Sequence, residues 1–303
     1  MHRDPGLKAY LAGAVFSLLV GFSFLGTKIC VRYADAWMIM TYRFDFAMAA
    51  LVIVCLFRKK WFSFGGRPIK SIMIAGLSYS LFLLIQAMGL YYATSVEAAI
   101  LFAAGPAFVE IIAMIFLKEK TNIRQSACVL IVIAALIFMI VMSSGKISFD
   151  IRATLLLLIS VLMSAVYTVA VRACMGEYSS LDIGSVSTIT GFAVFNMISL
   201  FQCIRGGGVH VYLQPAENYG FLIAAAYLGI CCILASTMLT GYMGKYLQST
   251  VMSVFGNVSS AISILAGALI LGEPVYSYYI FCTAVIIAGV IGTAYWAQSG
   301  ETR

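Results

Sequence analysis

Charge is what this sequence has least of. Asp, Glu, Lys and Arg make up 10% of its 303 residues, against 62% hydrophobic, and mean hydropathy is +1.01. A soluble globular domain carries about 25% charged residues, so this chain could not cover its own surface in water, and no stretch reads as a soluble domain. Histidine is scarce too: His2 and His210 both lie outside the long apolar runs. No HExxH or GxSxG falls within a span, so nothing supports a metal or nucleophile–base route to hydrolysis. The expectation is no enzyme, no cofactor and no metal. There is no P-loop, so ATP is not a local energy source or a partner. The eight cysteines form no CxxC and sit in or beside apolar runs, where free thiols act as small hydrophobes; neither a disulfide framework nor a zinc site is expected. Net charge is +7, but the basic residues gather at the ends of apolar runs, where they meet anionic headgroups. No basic patch is interleaved with exposed aromatics, which excludes nucleic acid as a partner.

What remains is hydrophobic length. A bilayer core of ~30 Å takes about 20 mostly apolar residues of helix. On that rule the sequence predicts an all-α integral membrane protein with ten transmembrane helices, over 9–29, 36–57, 70–92, 95–117, 125–143, 153–173, 184–204, 219–241, 248–271 and 275–297. The first run, Ala9–Thr27, reads as an uncleaved helix, because no clear small-residue cleavage site follows it. With a cytoplasmic N-terminus, the inner segments hold Arg3, Lys8, Arg58, Lys59, Lys60, Arg67, Lys70, Lys118, Lys120, Arg124, Arg172, Lys245 and Arg303. The outer ones hold Lys28, Arg32, Lys146, Arg152 and Arg205. That positive-inside bias puts both termini in the cytoplasm, with the chain in the cytoplasmic (inner) membrane and the lipid bilayer as its solvent.

The halves resemble each other. Ile115-Phe-Leu-Lys-Glu119 matches Leu269-Ile-Leu-Gly-Glu273, and Gly89-Leu-Tyr-Tyr-Ala-Thr-Ser95 mirrors Gly244-Lys-Tyr-Leu-Gln-Ser249. Glu119 and Glu273 lie 154 residues apart, half the chain. Residues 1–146 and 147–303 each hold five predicted spans, an odd number, so the second copy enters the membrane inverted. Inverted repeats mark secondary transporters. The ordered set of Arg43-Phe44 followed by Ala47, Pro106 within Ala-Ala-Gly-Pro, Lys118-Glu119 and Gly272-Glu273-Pro274 resembles the EamA type of the drug/metabolite transporter superfamily over nearly the whole chain. The resemblance implies two inverted five-helix repeats, both ends cytoplasmic, and transport of amino acids, related metabolites or amphiphilic drugs, often as export. Lys118 departs from that pattern, as do Ser259-Ser260 where the first half has Gly105-Pro106, and Asp45 beside Arg43.

Ionisable groups inside a span cost roughly 2.5–3.5 kcal/mol each at the helix centre, so each needs a reason. Arg43 reads as an anion site or gate, or as a group that snorkels or pairs with a carboxylate. Asp45, two residues on, lies on a nearly opposite face and must meet another helix or water; it is a proton-binding candidate, or a neutral hydrogen-bonded group. Glu110, one turn past Pro106, stands beside a proline-weakened stretch near the midplane, where an amine or proton would bind, or else pairs with Arg43. Glu97 fits helix capping or gating, and Glu119 and Glu273 fit stabilisation of the helix that follows each. Tyr79, Gln86, Tyr167 and Asn257 complete a candidate cavity with Ser160, Ser164, Thr168, Ser249 and Ser253, although hydroxyls in spans also serve helix–helix contact. Three candidate carboxylates against one arginine lean towards a small-molecule substrate bearing an amine, with protons as the candidate coupling ion. A channel or a non-transporting membrane scaffold is the alternative. Oligomeric state is not encoded in these patterns.

Overall fold

A computed structural model describes residues 5–59, 61–62, 64–65, 67, 69–117, 123–143, 150–174, 177–247 and 249–300. Among them there is no strand. The helices are α1 (Pro5–Gly21), α2 (Ser23–Cys30), α3 (Ala36–Arg58), α4 (Ile69–Leu90), α5 (Ser95–Ala103), α6 (Gly105–Leu117), α7 (Ile123–Ser143), α8 (Ile151–Cys174), α9 (Ser180–Gln202), α10 (Gly208–Leu213), α11 (Tyr219–Gly229), α12 (Ser236–Tyr246), α13 (Ser249–Ile270) and α14 (Ser277–Gly300). Six continuous stretches are long and apolar enough to cross a bilayer: Leu7–Cys30, Ala36–Arg58, Ile69–Leu90, Ile151–Cys174, Ser180–Arg205 and Tyr219–Tyr246. The pair α5 and α6, bent by 40° at Ala104, makes a seventh. The other three expected spans correspond to α7, α13 and α14, whose described apolar stretches Ser126–Met139, Phe255–Ile270 and Ser277–Gly289 are shorter. The chain is thus a multi-pass membrane protein.

Two boundaries differ from the sequence reading. The helix expected from residue 184 starts at Ser180, because Ser179 and Asp182 form a reciprocal capping box that satisfies the first amides. Asp182 also takes a bond from Arg67 Nη1 at 3.1 Å. The segment expected as a loop, 205–217, is mostly helical: a π-helical turn at Cys203–Gly207, then α10, then a 3₁₀ turn at Gln214–Glu217. A second π-helical stretch, Ile230–Ala235, joins α11 to α12.

Helices that the repeat would make equivalent pack on each other antiparallel. On α3 and α9, Thr41 meets Ser199 at 2.7 Å, while Leu51 and Cys55 at the far end meet Leu181. On α7 and α14, the Arg124 guanidinium lies over Trp296 and Phe138 packs edge-on to Phe281. The start of α5 meets the end of α13, where Ser95 lies against Gly267. The remaining packing forms matched pairs. Helix α1 contacts α13 and α12, as α8 contacts α6 and α4; α4 contacts α9, as α11 contacts α3.

Small residues permit these approaches. A Cβ on Gly191 would stand 2.1 Å from the Phe44 ring, and one on Gly229 would stand 2.3 Å from the Arg43 carbonyl oxygen. The second clash is with backbone, which cannot rotate away. Gly229→Ala is therefore expected to force α11 from α3 and cost about 1–3 kcal/mol, lowering the thermal unfolding temperature in detergent. Gly256→Ala, whose Cβ meets nothing within 4 Å, should leave that temperature unchanged.

Candidate functional site

A cavity of about 220 Å³ lies among the helices. Its walls come from α1, α2, α3, α4, α5 and α6 of the first half of the chain and α8, the Ile230–Ala235 turn, α12 and α13 of the second. Aromatic rings supply much of the surface. Phe24 and Phe82 pack on Phe102 with centroids 5.2 and 5.8 Å away, and Tyr79 leans on Tyr167 at 4.7 Å. Serine and threonine hydroxyls supply most of its polar groups. The Ser236 and Thr240 hydroxyls donate back to the carbonyls of Cys232 and Ser236, at 2.7 and 2.9 Å, and Thr168 donates to Ser164 at 2.9 Å. Their hydrogens are committed, so they offer a solute mainly lone pairs.

Two interruptions shape these walls. Ala104 ends α5, which puts Pro106 in the first turn of α6. There its missing N–H costs nothing, so the proline follows a break rather than standing inside a continuous helix. The π-helical stretch has wider turns than an α-helix and is characteristic of functional positions. It brings Cys232, Ser236 and Thr237 to the wall. The Cys232 carbonyl accepts the Tyr79 hydroxyl at 2.9 Å, and its thiol donates to the Leu19 carbonyl at 3.2 Å.

Arg43 is the one charged side chain among the described residues that border the cavity. It has 0% exposure. Nη1 donates to Thr27 Oγ1 at a long 3.4 Å, while Thr27 itself donates to the Ser23 carbonyl at 2.9 Å. Nε and Nη2 have no hydrogen-bond partner, and no carboxylate pairs with the guanidinium, among the described residues.

The other sequence candidates divide. Tyr79, Gln86, Tyr167 and Pro106 border the cavity with Arg43; Asp45, Glu110 and Asn257 are not among its lining residues. Asp45 accepts from Asn196 Nδ2 of α9 at 2.7 Å and from the Tyr212 hydroxyl at 2.6 Å. Tyr212 stacks on Tyr42, whose hydroxyl donates to the Tyr212 carbonyl. Tyr212 lies in α10, outside the spanning stretches. Burial first, and then the Asp45 carboxylate, raises its phenol above the usual range, so it remains a donor at neutral pH. Glu110 is half-buried on α6. Asn257 is buried, and both amide atoms lack partners among the described residues. The carboxylates behind the expectation of an amine-bearing solute thus stand away from the cavity wall.

Glu97 closes a capping box with Thr94 and accepts the Tyr279 hydroxyl at 2.7 Å. Glu273 differs from the sequence reading. It does not serve the helix that follows it, which begins only at Ser277. Gly272, at φ +65°, turns the chain back in a conformation that glycine adopts freely. The Glu273 carboxylate then reaches across to α5. Ser95 N–H donates to Oε1 at 3.0 Å, and Ser95 Oγ and Val96 N–H donate to Oε2 at 2.6 and 3.0 Å. At the same end, Lys28 Nζ donates to the Leu90 and Ala93 carbonyls that close α4. Glu119 and Lys118 lie outside the described residues, as do the side chains of Ser249 and Ser253. Sequence reasoning missed Thr27, Lys28, Asn196, Tyr212, Cys232 and Tyr279. Only Lys28, a cation next to a span end, carried a signal that could have found it.

Comparison with known proteins fits this architecture. A profile for the EamA-like transporter family matches residues 7–141 and again 151–295. The uncharacterized transporter YcxC of Bacillus subtilis (strain 168) is 32% identical over 97% of this chain and 95% of its own length. An uncharacterized transporter of Archaeoglobus fulgidus is 24% identical over 94% of this chain and 98% of its own. A solved structure, titled only as the crystal structure of a protein, aligns over 97% of this chain and 99% of its own, with a TM-score of 0.67 and 15% identity, a likeness of fold alone. These relatives point to a transporter rather than an enzyme. The chain belongs to the EamA-like transporter family, within the drug/metabolite transporter superfamily.

Proposed function

We propose that this chain is a secondary transporter that moves small amphiphilic metabolites, amino acids or related solutes, across the cytoplasmic membrane by alternating access, in the direction of export. It does so with ten crossings arranged as two inverted five-helix halves, residues 1–146 and 147–303. The observation that carries the reading is a cavity lined by both halves of the chain, whose two ends differ. It extends from Gln86 to Met243 and Met252, beside the junction of α12 and α13. At the other end of α13, about 30 Å away along that helix, Glu273 ties α5 down. None of residues 90–97 or 267–279 lines the cavity. The twice-matched family profile and the antiparallel packing of α3 with α9 and α7 with α14 support the inverted halves. The positive-inside bias supports cytoplasmic termini, and on that orientation the cavity approaches the cytoplasm while the Glu273 end is outer.

In this reading the outer end opens as the inner end closes, and Glu273 is its latch. Counterflow in proteoliposomes with a panel of labelled metabolites tests the function. A carrier gives saturable exchange, a channel gives flux that does not saturate, and a scaffold gives none. Loosening the latch is measurable separately. Glu273→Ala removes three charge-assisted bonds and should speed amide hydrogen exchange across residues 94–98 several-fold, with Glu273→Gln intermediate; unchanged exchange would remove the latch from the mechanism.

Protons are the proposed coupling ion, with Asp45 and Glu110 as their acceptors. Asp45 is held by Asn196 and Tyr212 and is not among the lining residues, so in this reading it acts without touching the solute. Asp45→Asn and Glu110→Gln are each expected to reduce the response of uptake to an imposed pH gradient. Vesicles of both variants that kept the full response would exclude proton coupling through these groups.

A further inference from the structure

We propose that the cavity selects solutes by a carboxylate, which binds at Arg43, and that its substrates are small monoanionic acids with an apolar body. This rests on the transporter reading above and narrows it. A guanidinium carries five N–H donors in a planar fork matched to a carboxylate. At Arg43 only Nη1 has a partner, and that contact is 3.4 Å long; Nε and Nη2, one edge of the fork, have none among the described residues. The group is wholly buried, so water does not serve those donors freely, and a buried cation without a counter-charge is costly. Thr27 accepts rather than donates towards it.

The cavity meets this group and little else that is charged. Among the described lining residues no carboxylate is present to hold an ammonium. One cation suits one negative charge; a dianion would leave its second charge against aromatic walls. The rings of Phe24, Phe82, Phe102 and Tyr167 suit an apolar or aromatic body. Because Arg43 has no exposed surface, the acid must displace a neighbouring side chain to reach it. Tyr79 is one candidate: it borders the same cavity and is held through its hydroxyl to the Cys232 carbonyl. A site of this kind rejects an analogue lacking the acceptor far more strongly than one differing in apolar size.

The test is equilibrium binding to the full-length protein in nanodiscs, with three labelled probes of one size: phenylpropionate, its neutral methyl ester and phenethylammonium. The acid is expected to bind about 10- to 100-fold more tightly than the ester, with the ammonium weakest. Arg43→Gln should erase the preference for acid over ester, and Arg43→Lys should restore part of it. The ester comparison uses the unaltered protein, so the result stands even if Arg43→Gln does not fold. Equal binding of acid and ester, tighter binding of the ammonium, or no binding of any probe at millimolar concentration would each overturn the proposal. Counterflow of the same probes keeps the two readings apart. Selective acid binding without flux overturns the carrier while the anion site stands. Flux of the ammonium without acid binding overturns the anion site while the carrier stands.

Discussion

Everything at the centre of this molecule is arranged around a positive charge withdrawn from water. Arg43 is wholly buried, touches Thr27 at hydrogen-bond length, and has no ion-pair partner among the described residues. A chain does not hold such a group in a membrane without compensation. The surroundings give its backbone no freedom. Phe44, next in sequence, is fitted against Gly191, and the Arg43 carbonyl rests where Gly229 leaves space. These two glycines come from α9 and α11, so the arginine is fixed by the second half of the chain although it belongs to the first.

Around this group two stretches of helix depart from regular α geometry at the cavity wall. Ala104 separates α5 from α6, and the π-helical turn separates α11 from α12. Both lie at the cavity wall, and at the π-helical stretch a side chain satisfies a backbone carbonyl. Tyr79 does this for the Cys232 carbonyl. Irregular backbone at membrane depth is tolerated where protein or a cavity covers it. The breaks also sit in α5–α6 and α11–α12, while the paired helices α7 and α14 carry none.

The sequence made the helices legible because lipid demands length and hydrophobicity over a whole segment, and no local detail can hide that. Arg43 was legible for the same reason: one charge in an apolar run is conspicuous. The two-residue offset of Asp45 already sends it to another face, and there it meets Asn196. What was not legible depends on rotation and on turns. Whether Glu110 lines the cavity is decided by a fraction of a helical turn, which Ala104 and Pro106 reset. Glu273 was read as serving the helix behind it because adjacency was the only guide; one left-handed residue, Gly272, redirects it to α5. The π-helical turn at Ile230–Ala235 leaves no compositional trace, since Ile, Cys and Leu fit an α-helix equally well.

On the alternating-access reading proposed above, the crossing of Glu273 to α5 bears on how fast the molecule switches. Bonds from one carboxylate to two amides and a hydroxyl are modest in net worth once water can replace them. Parting them therefore changes the balance between end states only slightly. The cost is concentrated at the instant when the carboxylate has left and water has not yet arrived, with Ser95 and Val96 amides facing neither. On the proposed alternating-access reading, this one side chain bears on the rate of opening more than on the equilibrium between end states.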